Sequence, residues 1–133
     1  MRAEAQALVD RIDAALDLLR RFLDWDRALR RLDELNARVE DPTLWDDPKK
    51  AQEVMRERTR LDNAISATRA IDAEKNDTVE LLEMADAEGD TALGDEAVAS
   101  LSQLADKADE DKIKALLAGE ADGSDTYLEI HAG

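Results

Sequence analysis

Acid-base, nucleophilic and metal chemistry each need particular side chains at particular spacings, and this chain of 133 residues offers few of them. It has no cysteine and one histidine, His131, so neither a thiolate nor a multi-histidine metal site can be assembled within one chain. His131 reads better as a strand residue than as a ligand. The 33 carboxylates are abundant, but at that density on helical segments they are solvated rather than paired for proton transfer. Asp109-Glu110-Asp111 could attract a divalent cation, yet it lacks the spaced ligands and central glycine of a calcium loop. None of the five glycines follows a strand to open a helix, as a phosphate-binding loop requires. The two tryptophans, Trp25 and Trp45, have no basic patch around them and suit anchoring better than base stacking. The residues therefore predict no catalytic group, no cofactor ligand and no metal ligand, and point to contact surfaces instead.

The elements that must present those surfaces are helical. Gly and Pro together number seven, so punctuation is sparse and a few long elements are favoured. A first helix is predicted from about Ala3 to Leu23, with Leu8, Ile12, Ala15, Leu16, Leu19, Phe22 and Leu23 as its stripe. Asp24 or Asp26 could cap a new helix, although nothing there forbids the first from running on. Trp25, Ala28, Leu29, Leu32, Leu35 and Val39 recur at three and four and give one face of a second helix ending near Glu40. Asp41-Pro42 then disfavours helix. Asp47 is a good N-cap and Pro48 a good first helical residue, so a third helix starts at once. Leu44 and Trp45, between the two starts, read as a buried plug that closes a helical hairpin. Trp25, Leu32, Trp45, Asp47 and Pro48 are the expected structural anchors.

No Gly or Pro interrupts the third helix between Pro48 and about Glu88, although Arg58, Asp72 and Lys75 fall on its apolar seam and suggest a kink or break near 72–77. Unbroken, about 40 residues at about 1.5 Å each give a rod near 60 Å, whereas a compact globule of this length has a radius of gyration of about 14 Å. The expected fold is all-α, an elongated antiparallel bundle of three to four helices with coiled-coil-like packing. Gly89 supplies a left-handed C-cap. Asp90 or Thr91 caps a fourth helix, with Ala97, Val98, Leu101, Leu104, Ala105, Ala108, Ile113, Leu116 and Leu117 at helical spacing and Gly119 as its end. A polar loop to Asp125 and a strand over Thr126–His131 follow, because the period there changes to two. Nothing else alternates, so that strand lacks a partner and belongs to a second domain. The expected division is residues 1–118 as the helical domain and 119–133 as linker and first strand of the next.

Charge excludes some partners. The net charge is −15. Residues 76–133 hold sixteen acids against Lys107, Lys112 and Lys114, a surface that repels phosphate backbones, so extensive nucleic-acid contact is not expected. No run of about 18 apolar residues suits a membrane span. The N-terminus carries acids throughout, unlike a secretory signal. A cytoplasmic protein is expected.

The arrangement Leu23-Asp24-Trp25-Asp26, Arg31-Leu32-Asp33-Glu34-Leu35-Asn36, Asp41-Pro42, Leu44-Trp45-Asp46-Asp47-Pro48 and Ala51-Gln52 resembles, in order and spacing, the N-terminal region of bacterial class-I peptide chain release factors of the UGA/UAA type. Leu117-Ala118-Gly119-Glu120 and the run from Asp125 to Gly133 are similar to that family's entry into its second domain. The resemblance implies the first domain of a translation termination factor that acts at stop codons on the ribosome. The family's Ser-Pro-Phe and Gly-Gly-Gln motifs are not in this sequence, so neither codon reading nor peptidyl-tRNA hydrolysis is expected of it. The implied partners are the large-subunit stalk base protein and the class-II release-factor GTPase. The rival reading from residues alone is a stand-alone coiled-coil adaptor, and a third is a truncated regulator that binds the stalk base.

Overall fold

In the computed structural model, which describes residues 1–123 and side chains through residue 118, every regular element is helical. Helix α1 spans Ala3–Leu23, α2 Trp25–Glu40, α3 Pro48–Glu88 and α4 Thr91–Gly123, with a 3-10 turn at Pro42–Asp46. The strand expected over Thr126–His131 lies outside the described residues. Gly119 does not end α4, which continues to Gly123. A lone glycine costs a helix only about 1 kcal/mol, and Leu116, Leu117, Ala118, Glu120 and Ala121 around it are good helix formers.

Ion pairs between helices fix the directions. Lys75 bonds Asp13 at 2.5 Å and Arg20 approaches Asp72 at 3.7 Å, so α1 and α3 are antiparallel. Arg2 pairs with Asp95 and Arg11 with Asp106 and Asp109, so α4 runs parallel to α1. Only the 3-10 turn at Pro42–Asp46 separates α2 from α3, and Leu35 of α2 shares a core with Ala51 and Val54 of α3, so α2 folds back antiparallel to the first half of α3; Arg31–Glu57 and Arg58–Asn36 bond across the pair. The 41-residue α3 is therefore shared. Its second half packs with α1 and α4 as a three-helix body, and its first half packs with α2 as a two-helix hairpin.

Each part has its own core. Ile12, Leu16, Leu19, Ile71, Leu82, Leu101 and Leu104 meet in the body. Leu35, Leu44, Ala51 and Val54 close the hairpin, with Val39 and Leu61 packed against them. Within the body α3 buries Ile71 and Thr78 beside the expected polar seam, with Val79 partly buried against the same core and Asp72 at its edge. There α3 faces two helices rather than one, so its buried arc is broader and centred between them.

The polar middle of α3 breaks nothing. Thr68 and Thr78 are buried, and their hydroxyls donate to the carbonyls of Ala64 at 2.9 Å and Glu74 at 2.7 Å. Lys75 is largely covered, yet its ammonium reaches Asp13 and, at 3.3 Å, Asp72. Burial pushes its pKa down, but the hydrogen bonds and charges of these two carboxylates outweigh that and hold it above the usual lysine value.

A second correction concerns α4. Ala97, Leu101, Leu104, Ala105 and Ala108 are buried as the periodicity predicts, but Ile113, Leu116 and Leu117 are exposed. At about 100° per residue the buried stripe continues through Lys112 and Ala115, which leaves those three on another side. The fourth helix starts on Asp90, whose side chain accepts from the Leu93 N–H at 3.1 Å, and Gly89 ends α3 at φ 72° as expected.

Candidate functional site

The end of the hairpin is where the sequence placed most of its anchors, and the geometry there is set by caps. Asp41 Oδ1 accepts from the Thr43 backbone N–H at 3.0 Å and from the Thr43 hydroxyl at 2.9 Å, which winds Pro42–Asp46 into its 3-10 turn. Those bonds hold the Asp41 carboxyl below its ordinary pKa. Asp47 Oδ1 accepts from the Lys50 N–H at 3.2 Å and Pro48 occupies the first turn of α3, both as read from the sequence.

Between the two caps the expected plug divides. Leu44 is buried against Leu35, Ala51 and Val54. Trp45 is 51% exposed and closes nothing. Its indole N–H donates to the Val39 carbonyl at 3.1 Å, which fixes the ring on the outside of the turn. Adjacent residues in a 3-10 turn point in different directions, so Leu44 faces the hairpin core while Trp45 faces out. Size favoured tryptophan as the plug; phase favoured leucine. Here phase decides.

The other anchors sit at the base of the hairpin. Asp24 adopts a left-handed conformation, φ 53° and ψ 68°, and its N–H bonds back to Arg21 at 3.1 Å. It thus ends α1, and its side chain caps nothing, unlike the capping role considered for it. Because Ala28 bonds the Asp24 carbonyl at 2.8 Å, α2 begins at once in nearly the same direction of travel up the molecule. Trp25 and Leu32 are half-buried. Arg20 lies 5.9 Å and Arg69 5.7 Å from the Trp25 ring centroid, so two guanidiniums hold the indole between α1 and α3.

A cleft of about 1080 Å3 opens between α2 and α3, lined among others by Arg27, Arg30, Arg31, Glu57 and Arg60. Arg31 is committed there: its fork meets Glu57 at 2.7 and 2.9 Å and it reaches Glu34 at 3.2 Å. The hydrogen bonds from Arg31 hold Glu57 below its ordinary pKa. The i, i+3 spacing of Arg31 and Glu34 was legible; the partner on α3, 26 residues away, had no local signal. Among the described residues no group of three or more His, Cys, Asp or Glu is placed to hold a metal ion. What the arrangement can do is present a rigid, capped tip with an aromatic ring on its outside.

Comparison with known proteins agrees with the resemblance. A family model described as PCRF domain matches residues 28–133. The chain belongs to the PCRF-domain family. This PCRF chain is 47% identical over all 133 of its residues to peptide chain release factor 2 of Paramagnetospirillum magneticum (strain ATCC 700264 / AMB-1), and covers 36% of that protein. It is 53% identical over 110 residues, 83% of the chain, to peptide chain release factor 2 of Caulobacter sp. (strain K31), covering 30% of it. With peptide chain release factor 2 of Rickettsia bellii (strain RML369-C) it shares 38% over 133 residues, again 36% of that protein. The PCRF chain thus spans about a third of the length of these curated relatives. Among the described residues no helix is long and apolar enough to cross a membrane.

Proposed function

We propose that the chain is the helical docking lobe of a translation termination factor that acts at stop codons on the ribosome, and that the lobe itself neither reads the codon nor hydrolyses peptidyl-tRNA. The observation that carries this reading is the 47% identity across the whole chain to peptide chain release factor 2 of P. magneticum, of which it covers 36%. The lobe is followed, after α4, by a linker and the first strand of a second domain. Its partners are the stalk base protein of the large subunit and the class-II release-factor GTPase, in the cytoplasm. Charge supports a protein contact over an RNA one. The acidic body repels phosphate, while the hairpin from Trp25 to Leu61 carries nine acids and nine bases and offers an exposed tryptophan at its end.

The test is competition. At low salt and high excess, the isolated chain should slow peptide release by the full-length factor and release nothing alone. Release at an unchanged rate, with binding of the chain to the stalk base undetectable, would remove the docking role.

A further inference from the structure

Where the body meets the hairpin, small residues stand in place of the large ones that fill the two cores. Ala64 and Ala67 of α3 and Ala115 and Ala118 of α4 leave an open groove of about 390 Å3, with Leu19 and Leu23 at the end of α1 completing its walls. Thr68 also lines it, but its hydroxyl already donates to the Ala64 carbonyl at 2.9 Å. The floor is therefore apolar and suits aliphatic side chains.

The rim is charged, and its sign is the reverse of the chain's. Arg60, Lys107 and Lys114 stand there with Asp111, so two of the three bases in residues 76–133 are gathered on one groove. Leu23, Arg60 and Leu61 line the cleft between α2 and α3 as well, which makes the two hollows neighbours and extends the rim to Arg27, Arg30 and Arg31. Together the linings hold six bases against Asp24, Glu34, Glu57 and Asp111, a local excess of two positive charges in a chain of net charge −15. Arg31 is committed to Glu57 and Glu34. Among the described residues, by contrast, Arg30 and Arg60 carry no ion pair. Lys107 meets Asp111 at 3.5 Å and Lys114 meets Glu110 at 3.3 Å, but these are exposed pairs within one helix and contribute little. Each ammonium keeps donors for another carboxylate.

We propose that this groove docks an acidic, aliphatic segment of another protein, with its apolar side chains on the floor and its carboxylates against Arg60, Lys107 and Lys114. Nucleic acid suits the surface less well. None of the described residues lining either hollow is aromatic, so bases have nothing to stack on, and four carboxylates stand among the bases where phosphates would lie. A second copy would bring together two chains of net charge −15 that repel during approach. The groove lies at the base of the hairpin and Trp45 at its tip, so a partner seated here leaves the tip free. The inference does not depend on ribosome binding.

The test uses the whole chain and a fluorescein-labelled amphipathic peptide of leucine and glutamate, beside its leucine-lysine counterpart and a labelled oligouridylate. At low salt the leucine-glutamate peptide should bind about tenfold or more tightly than either comparison. Arg60→Glu should weaken that binding by about tenfold or more, and Lys107→Glu with Lys114→Glu by a similar factor. Arg56→Glu makes the same change of charge at an exposed position of α3 outside both hollows, and should leave binding within about twofold of the parent. Ala67→Trp, exposed on the groove wall, should block binding with helicity by circular dichroism unchanged. No binding of the leucine-glutamate peptide, equal binding of the two peptides, or equal losses in Arg56→Glu and Arg60→Glu would overturn the proposal. Tighter binding of the oligouridylate would overturn it in favour of a phosphate backbone, and self-association that Arg60→Glu abolishes would overturn it in favour of a second copy.

Discussion

The hairpin and the body are built from the same kind of helix and differ in how many neighbours each helix has. In the body, α3 touches α1 and α4, and seven of its core side chains are large and almost wholly buried across three helices. In the hairpin α3 has only α2, and its core is Leu35, Leu44, Ala51 and Val54. Charge divides the same way: the hairpin from Trp25 to Leu61 is neutral, so the whole net charge of −15 lies outside it. The hairpin thus has a small core bounded by caps and the body a large one, which fits the proposed role of the hairpin as the presenting part.

That contrast can be broken by core truncation first. Leu101→Ala, at a fully buried site, should cost about 2–5 kcal/mol and lower the urea midpoint of the entire chain, because the hairpin cannot outlive the body that holds α3. Leu35→Ala, also fully buried, should cost towards the lower end of about 2–5 kcal/mol and be felt locally. Hydrogen exchange should then rise over residues 28–58 and stay slow at 97–108. Equal loss of protection in both parts would mean one cooperative unit. The contrast sharpens at the tip: Leu44→Ala should cost about 2–3 kcal/mol, whereas Trp45→Ala should cost about 1 kcal/mol or less, since the ring is half in water and gives up a single hydrogen bond. Asp47→Ala should cost about 1 kcal/mol by removing the cap of α3.

The smallest effects are in the pH response, and they too differ by region. Glu57 and Asp41, both in the hairpin, have lowered pKa values from the bonds of Arg31 and of Thr43. Their contribution is present above the ordinary carboxyl values of 4.5 and 3.8 and is lost as pH falls through the depressed folded ones. Lys75, in the body, has a raised pKa: burial lowers it, and the bonds to Asp13 and Asp72 more than offset that. Its contribution is present below the ordinary lysine value of 10.5 and is lost as pH rises through the higher folded one. Acid below the ordinary carboxyl values should therefore loosen the hairpin and strong alkali the α1–α3 seam, as read by exchange at residues 28–58 and 71–82.

Helix boundaries were legible because each is marked by one residue with a physical reason: Pro48 after the cap Asp47, Gly89 at positive φ, and Asp90 beneath Leu93. Which side of a helix is buried was legible in α1 and in the hairpin, where there is one dominant neighbour. It failed at Ile71 and Thr78, where two neighbours share the face, and at Ile113, Leu116 and Leu117, where a second apolar face was merged with the first. Trp45 was misplaced because bulk outweighed turn geometry in the reading: neighbouring residues of a 3-10 turn cannot share one inward direction, and Leu44 takes it. The pairing of Arg31 with Glu57 and the two arginines around Trp25 depend on residues far apart in the chain, and no local pattern announces them.

The contrast between a stabilising body and a presenting hairpin meets its most direct test in the competition assay run with Trp45→Ala beside the parent. The variant should melt close to the parent and yet lose most of its ability to slow release by the full-length factor, as the proposal requires if docking runs through the exposed ring at the tip. Competition equal to the parent's, from a variant equally well folded, would contradict the account and move the docking surface away from the hairpin.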